Sequence, residues 1–248
     1  MTMTVFARLT RTELKLQLRE PVPAFFTLLF PTILVAVLGS IPDFREPSPE
    51  LAGARTIDVY IGIAIALSLA MVGLQVMPAV LATYRERGVL RRIATTPVRP
   101  LTLLAAQLTA SVLMALVSAA LCITVGYFAF DVPLAGNLAG FALAFLLCAA
   151  GVFSIGLLIA ALVPTGKAGN AVGTLLFFPS MFFAGLWSPR EMLPDWAQKV
   201  GDYTALGAGV RALRETMTGH WPNWLPAVVL IGYLIIFGLG AARLFRWS

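Results

Sequence analysis

The stretch Leu138–Val163, LAGFALAFLLCAAGVFSIGLLIAALV, contains no Asp, Glu, Lys, Arg or His. A helix rises about 1.5 Å per residue, so roughly 20 apolar residues cross the ~30 Å hydrocarbon core of a bilayer. The stretch is long enough to cross, and it carries no charge that would resist doing so. Five further runs obey the same rule: Val22–Ile41, Val59–Thr83, Leu101–Phe130, Ala168–Trp187 and Leu225–Ala242. The third run in chain order, Leu101–Phe130, is too long to stand upright and should tilt or extend past the bilayer. Composition agrees. The 248 residues are 59% hydrophobic and 12% charged, with mean hydropathy +0.87. A soluble domain carries about 25% charged residues. The expected fold class is therefore an all-α membrane protein with six transmembrane helices.

Prolines punctuate the runs. Pro21 and Pro23 suit a first helical turn, where no N–H partner is lost. Pro31, Pro78 and Pro179 lie inside spans and predict kinks. Cys122 and Cys148 both sit in apolar runs, where a free thiol packs as a small hydrophobe, and their spacing fits no metal motif.

Six spans put both termini on one side, and the distribution of Lys and Arg selects that side. Arg8, Arg11, Lys15, Arg19, Arg85, Arg87, Arg91, Arg92, Arg99, Lys167, Arg243 and Arg246 flank the spans on the terminal side. That is twelve of the eighteen Lys and Arg, whereas nine of the twelve acids fall on the other side. Both termini are expected to be cytoplasmic. The net charge of +6 follows this topology and gives no ground for a nucleic-acid partner. The N-terminal lead is long and charged, and a full span follows it, unlike a cleavable signal peptide. Arg8, Arg11, Lys15 and Arg19 share one helical face, with Val5, Leu9 and Leu16 on an adjoining one. Residues 1–21 are thus expected to form an amphipathic helix along the inner leaflet, ahead of a six-span domain over residues 22–248.

No Asp, Glu, Lys, Arg or His lies inside any of the six runs. Ion-coupled carriers ordinarily place one there as a ligand for the coupling ion. Gln75 and Gln107 are the bulkiest polar side chains available within spans. They can hydrogen-bond or line a pathway but cannot carry a proton. The one Gly-Lys pair, Gly166–Lys167, is followed by Ala168, and Ala161 stands where a phosphate loop needs its first glycine. The chain therefore has no nucleotide loop of its own. His220 sits in a loop between Gly219 and Trp221, and Asp195 and Asp202 form no paired-acid motif. No catalytic or metal-binding residue is expected, and an embedded enzyme or ion-coupled carrier remains the alternative class.

Between the second and third spans runs Tyr84-Arg85-Glu86-Arg87-Gly88-Val89-Leu90-Arg91-Arg92-Ile93-Ala94-Thr95-Thr96-Pro97-Val98-Arg99-Pro100. Val89, Leu90 and Ile93 would form an apolar patch on a short helix ringed by arginines. A helix of that kind can dock into a groove on a partner, and Pro97 and Pro100 would stiffen the return to the membrane. After the fifth span, Ser188, Pro189 and Glu191 read as a helix start, and Ala205–Met217 reads as a second helix with Arg211, Arg214 and Glu215 on its wet side. Gly136–Gly140 and Gly169–Gly173 have small-x-x-x-small spacing, a pattern found at helix seams.

The loop resembles the signature of the type-2 ABC transporter permease family, carried here by Glu86, Arg87, Gly88, Leu90, Arg91, Arg92, Thr96 and Pro97. The segment Phe183–Trp196, FAGLWSPREMLPDW, is similar to the family's stretch after the fifth span. Both fall in the family's order, and the likeness covers nearly the whole chain. It is greatest to bacterial drug-resistance permeases of the daunorubicin/doxorubicin exporter type. The resemblance implies a cytoplasmic coupling helix, with Glu86, Arg87, Gly88, Leu90, Arg91 and Arg92 meeting a separate ABC ATPase. Arg11 and Lys15 are implied as additional contacts, and Gly88 as a site of close approach. It implies short re-entrant helices between spans five and six. It also implies a second permease copy or a sister permease, ATP bound on the partner rather than this chain, and a bacterial cytoplasmic (inner) membrane. The function implied is export of a hydrophobic or amphipathic molecule, drug or lipid-like.

Overall fold

A computed structural model describes residues 3–51, 53–89, 92 and 100–244, with the side chains of Thr4 and Pro100 excepted. The described residues form helices and turns, with one isolated bridge, Pro47 to Arg55, and no strand. In chain order the helices are α1 (Met3–Arg19), α2 (Pro21–Gly39), α3 (Thr56–Glu86), α4 (Pro100–Phe130), α5 (Leu138–Leu162), α6 (Gly166–Phe183), α7 (Asp195–Tyr203), α8 (Ala205–Met217) and α9 (Trp224–Leu244). Short 3-10 turns cover Pro42–Arg45, Pro49–Leu51 and Arg190–Met192.

Among the described residues, five helices are long and apolar enough to cross a membrane: α2, α3, α4 from Leu101, α5 and α9. α6 occupies most of the fifth run read from the sequence but stops at Phe183 instead of Trp187. Its 18 residues would span about 27 Å. It also includes Lys167, Asn170 and Pro179, which dilute its apolarity.

α3 is the axis of the molecule. Ile57, Ile61, Ile63, Ile65, Leu67, Leu69, Leu74, Met77 and Leu81 are all fully buried. α3 is apolar on every side and is enclosed by protein rather than left facing outward: α2, α4, α5, α6 and α8 pack around it. α9 packs chiefly on α5 and α8 and leaves most of its surface outward.

Two of the expected proline kinks take a specific form. The chain widens to a π-turn over Phe25–Leu29, before Pro31, and again over Met71–Val76, before Pro78. Proline has no N–H and its ring collides with the carbonyl four residues back. A π-turn moves the hydrogen bonding out by one residue: the Phe30 amide donates to the Phe25 carbonyl, and the Met77 amide to the Val72 carbonyl. Pro179 lies inside α6 without such a turn.

Glycines let neighbouring helices close on the second π-turn. A Cβ at Gly156 of α5 would overlap the Gly73 carbonyl oxygen, and one at Gly173 of α6 would overlap that of Leu74. Gly169 lies against Pro78 in the same way. The Gly169–Gly173 pair is therefore spent on a seam within this chain. Gly136 and Gly140 likewise face Gly219, Asn137 and Thr216 of the same chain.

The segment after α6 also departs from the sequence reading. Arg190–Met192 forms only a 3-10 turn, and the helix begins later, at Asp195. α8 keeps its expected bounds, capped by Thr204, whose hydroxyl accepts from the Gly207 amide at 3.1 Å. It is not a surface helix. Leu206, Ala208, Gly209, Ala212, Leu213 and Thr216 are buried, and Gly209 sits against Cys148 of α5. Cys122 and Cys148 are both fully buried free thiols.

Candidate functional site

The loop between α3 and α4 begins where α3 runs out. The Arg87 amide donates to the Thr83 carbonyl at 2.9 Å and the Gly88 amide to the Arg85 carbonyl at 3.0 Å. Gly88 then takes φ +66°, a left-handed conformation that suits glycine and commonly ends a helix. The Arg92 amide donates back to the Gly88 carbonyl at 3.0 Å. A Cβ at Gly88 would meet nothing within 4 Å. Within the described residues of this chain, the turn in the backbone is what calls for glycine here. Arg87 and Arg92 are exposed; Leu90 and Arg91, and the motif's Thr96 and Pro97, lie outside the described residues.

The last turn of α3 is fastened to the short connection between α5 and α6. The Arg85 guanidinium donates to the Ala161 carbonyl at 2.9 Å and also to the Val163 carbonyl, both at the C-terminal end of α5. The Glu86 carboxylate accepts from the Gly166 amide at 3.1 Å, at the N-terminal end of α6. Helix ends carry partial charges, negative at the C-terminus and positive at the N-terminus. A cation thus meets one helix's C-terminus while the adjacent anion meets the next helix's N-terminus. Gly166 has to lack a side chain, since a Cβ would overlap the Thr83 hydroxyl. Glu86, expected as an outward contact, is engaged inside this chain through one carboxylate oxygen.

Immediately before Arg85, Tyr84 fastens the same end of α3 to α1. Its hydroxyl donates to the Glu13 carboxylate at 2.8 Å. α1 presents three surfaces, one more than the sequence reading contained. Arg8, Arg11, Lys15 and Arg19 are exposed; Leu16 is half exposed beside them; and Thr10, Glu13 and Gln17 are buried. The buried face is polar, and the Gln17 amide reaches the Ser111 hydroxyl of α4 at 3.5 Å. Arg11 and Lys15 therefore sit on a helix tied to the loop's root, on the face pointing away from it.

Glu13 provides a direct test of this docking. Burial raises its carboxyl above the ordinary 4.5, and the hydrogen bond from Tyr84 acts the other way. The folded chain holds this proton more tightly than the unfolded chain does. The stability linked to it is complete below pH 4.5 and is lost as the pH rises through the raised value. Glu13→Gln cannot ionise, so the melting-temperature difference between variant and wild type should move in the variant's favour from pH 4.5 upward. A difference independent of pH would contradict the buried placement.

The two glutamines lie apart from the loop. Gln75 is half-buried on the second π-turn. Gln107 is fully buried on α4, and neither atom of its amide has a hydrogen-bond partner among the described residues. What sequence reasoning missed are the fasteners Glu13, Tyr84 and Arg85. The one available signal was Glu13 itself, an acid in a strongly basic lead.

Residues 4–218 match the family described as ABC-2 type transporter. The chain belongs to this family. Over 120 residues it is 27% identical to the protein named "Probable multidrug ABC transporter permease YbhR" of Escherichia coli (strain K12). The match covers 48% of this chain and 32% of that protein. The protein of the same name from Escherichia coli O157:H7 matches to the same extent. The chain thus spans about a third of the length of the curated relatives it matches. As an ABC-2 family member it is a multi-pass membrane permease, a transporter component rather than an enzyme in itself.

Proposed function

We propose that this chain is the permease subunit of an ATP-driven exporter. A separate ABC ATPase docks on the loop that opens at Arg87 and supplies the energy. The substrate is a hydrophobic or amphipathic molecule, drug or lipid-like, carried outward across a bacterial cytoplasmic membrane. The observation that carries this reading is the convergence at the loop's root. Tyr84 ties it to α1, and Arg85 and Glu86 tie it to the α5–α6 turn. A push on the loop would be delivered to three parts of the bundle together. ATP binds the partner and not this chain.

In this reading α6 is the fifth of six spans, both termini are cytoplasmic as the Lys and Arg distribution favours, and α7 and α8 cap the outer end. Asn170 is exposed on α6 beside Leu175, Leu176 and Phe178. An amide is poorly matched to lipid, which supports a second permease copy or a sister permease covering that face. The likeness to a probable multidrug ABC transporter permease of Escherichia coli supports drug export, and with it a contribution to antibiotic resistance.

The docking is tested by a photo-cross-linker placed at Arg87 in membranes that also contain a candidate partner ABC ATPase. Capture of that ATPase from Arg87, but not from Arg211 at the opposite end, is the expected result. Equal capture from both positions, or none at Arg87, would rule the docking out.

A further inference from the structure

At the end of the bundle remote from α1, a cavity of about 340 Å3 lies between α3, the end of α6, and α8. Small-molecule sites begin at roughly 300 Å3. One wall is apolar, built from Val59 and Ile63 of α3, Phe183 of α6 and Val210 of α8. The other is ionic and includes Arg190, Glu191, Arg211, Arg214 and Glu215.

The ionic wall has more donors than its carboxylates engage. Asp202, just behind it, has both oxygens engaged, by Arg190 at 2.7 Å and Arg211 at 3.4 Å. Glu215 also has both engaged, one by Arg211 at 3.2 Å and the other by the Asn223 amide at 2.6 Å. Glu191 accepts from Arg214 at 2.6 Å. A guanidinium offers five N–H donors. Against these carboxylates Arg190 uses one nitrogen, Arg214 one and Arg211 two. The Arg190 Nε is buried with no hydrogen-bond partner among the described residues. Planar forked donors of this kind match the oxygens of phosphate and carboxylate. Asp202 and Glu215 have both oxygens engaged, guanidinium N–H donors outnumber the bonds made to these carboxylates, and an apolar wall faces them.

We propose that this cavity binds an anionic amphiphile, with its phosphate or carboxylate head on Arg190, Arg211 and Arg214 and its apolar part along Val59, Ile63, Phe183 and Val210. Trp187 and Trp196, both largely exposed near this end, suit a headgroup-level position. The head could belong to a membrane lipid or to a free anion. The site concerns binding at this end alone, so its failure would leave the ATPase reading untouched, and the reverse also holds.

Native mass spectrometry of the full chain in a neutral maltoside detergent separates these cases, with phosphatidylglycerol, phosphatidylcholine and inorganic phosphate as probes. One phosphatidylglycerol should bind at least tenfold more tightly than either phosphatidylcholine or phosphate. Arg211→Gln should weaken that binding tenfold or more. Val210→Phe, which fills the apolar wall and leaves every ion pair in place, should do the same. It guards against the chance that Arg211→Gln merely unfolds α8. Three results would each overturn the proposal: unchanged phosphatidylglycerol binding in Val210→Phe, equal affinity for phosphatidylcholine, or inorganic phosphate binding as tightly as the lipid.

Discussion

Gly173→Leu should leave little folded protein. Gly173 presses α6 against the Leu74 carbonyl of the second π-turn, and any Cβ there overlaps that oxygen. Overpacking usually costs about 1–3 kcal/mol, because side chains can turn aside. Here the obstacle is backbone. Its position is set by Pro78, whose ring excludes the ordinary bond to Leu74 and imposes the wider turn. We expect a loss of about 3 kcal/mol or more, beyond the usual range for overpacking. It would be read as a fall to under about a tenth of the wild-type yield of monodisperse protein. Gly232→Leu is the control. A Cβ at Gly232 of α9 meets nothing within 4 Å, and that variant should accumulate normally. Equal yields for the two would mean that the α3–α6 seam is not built as described.

The second large effect is functional. Arg85→Ala combined with Glu86→Gln removes the hydrogen bonds to the Ala161 and Val163 carbonyls and weakens that to the Gly166 amide. The apolar core around α3 is untouched, so the pair should insert and fold. The loop itself, with its turn at Gly88, also stays intact and should still receive a partner. What is lost is the connection from the loop's root to the end of α5, and what is weakened is the one to the start of α6. If that connection carries the stroke, coupled transport should fall at least tenfold while ATPase binding persists. Glu86→Gln alone should have the smaller effect, since an amide oxygen can still accept from Gly166, though with less attraction for a helix N-terminus.

The helical skeleton was legible because crossing a bilayer imposes length and apolarity together. The run read as 138–163 appears as Leu138–Leu162, and that read as 59–83 as Thr56–Glu86. Charged helix ends such as Asp58, Arg85 and Glu86 extend beyond the apolar run because they find partners: Arg55 at 2.7 Å for Asp58, and the α5–α6 turn for the others. The prolines announced kinks, but not that two of them would be π-turns. That outcome depends on which carbonyls the neighbouring helices can approach, a tertiary matter.

Electrostatic fastening was the least legible part. Arg85 and Glu86 look like any basic-loop residues until α5 and α6 bring two opposite helix ends beside them. Glu13 looked like one acid on an interfacial helix, yet it faces inward to Tyr84. The same holds at the far end. Arg211, Arg214 and Glu215 were placed on the wet side of α8 by spacing, whereas the fold turns them toward a cavity shared with α3 and α6. Helical periodicity identifies which residues share a face. It does not identify what that face meets.

The central claim is that ATP hydrolysis on a partner is transmitted through the root of the Glu86–Arg92 loop. ATP hydrolysis and substrate efflux by proteoliposomes holding this chain and its ATPase test it most directly, comparing wild type with the Arg85→Ala, Glu86→Gln pair. The account predicts that the partner still hydrolyses ATP and still co-purifies with the variant, while efflux per ATP falls at least tenfold. Efflux per ATP equal to wild type in a variant that has lost those bonds would contradict it.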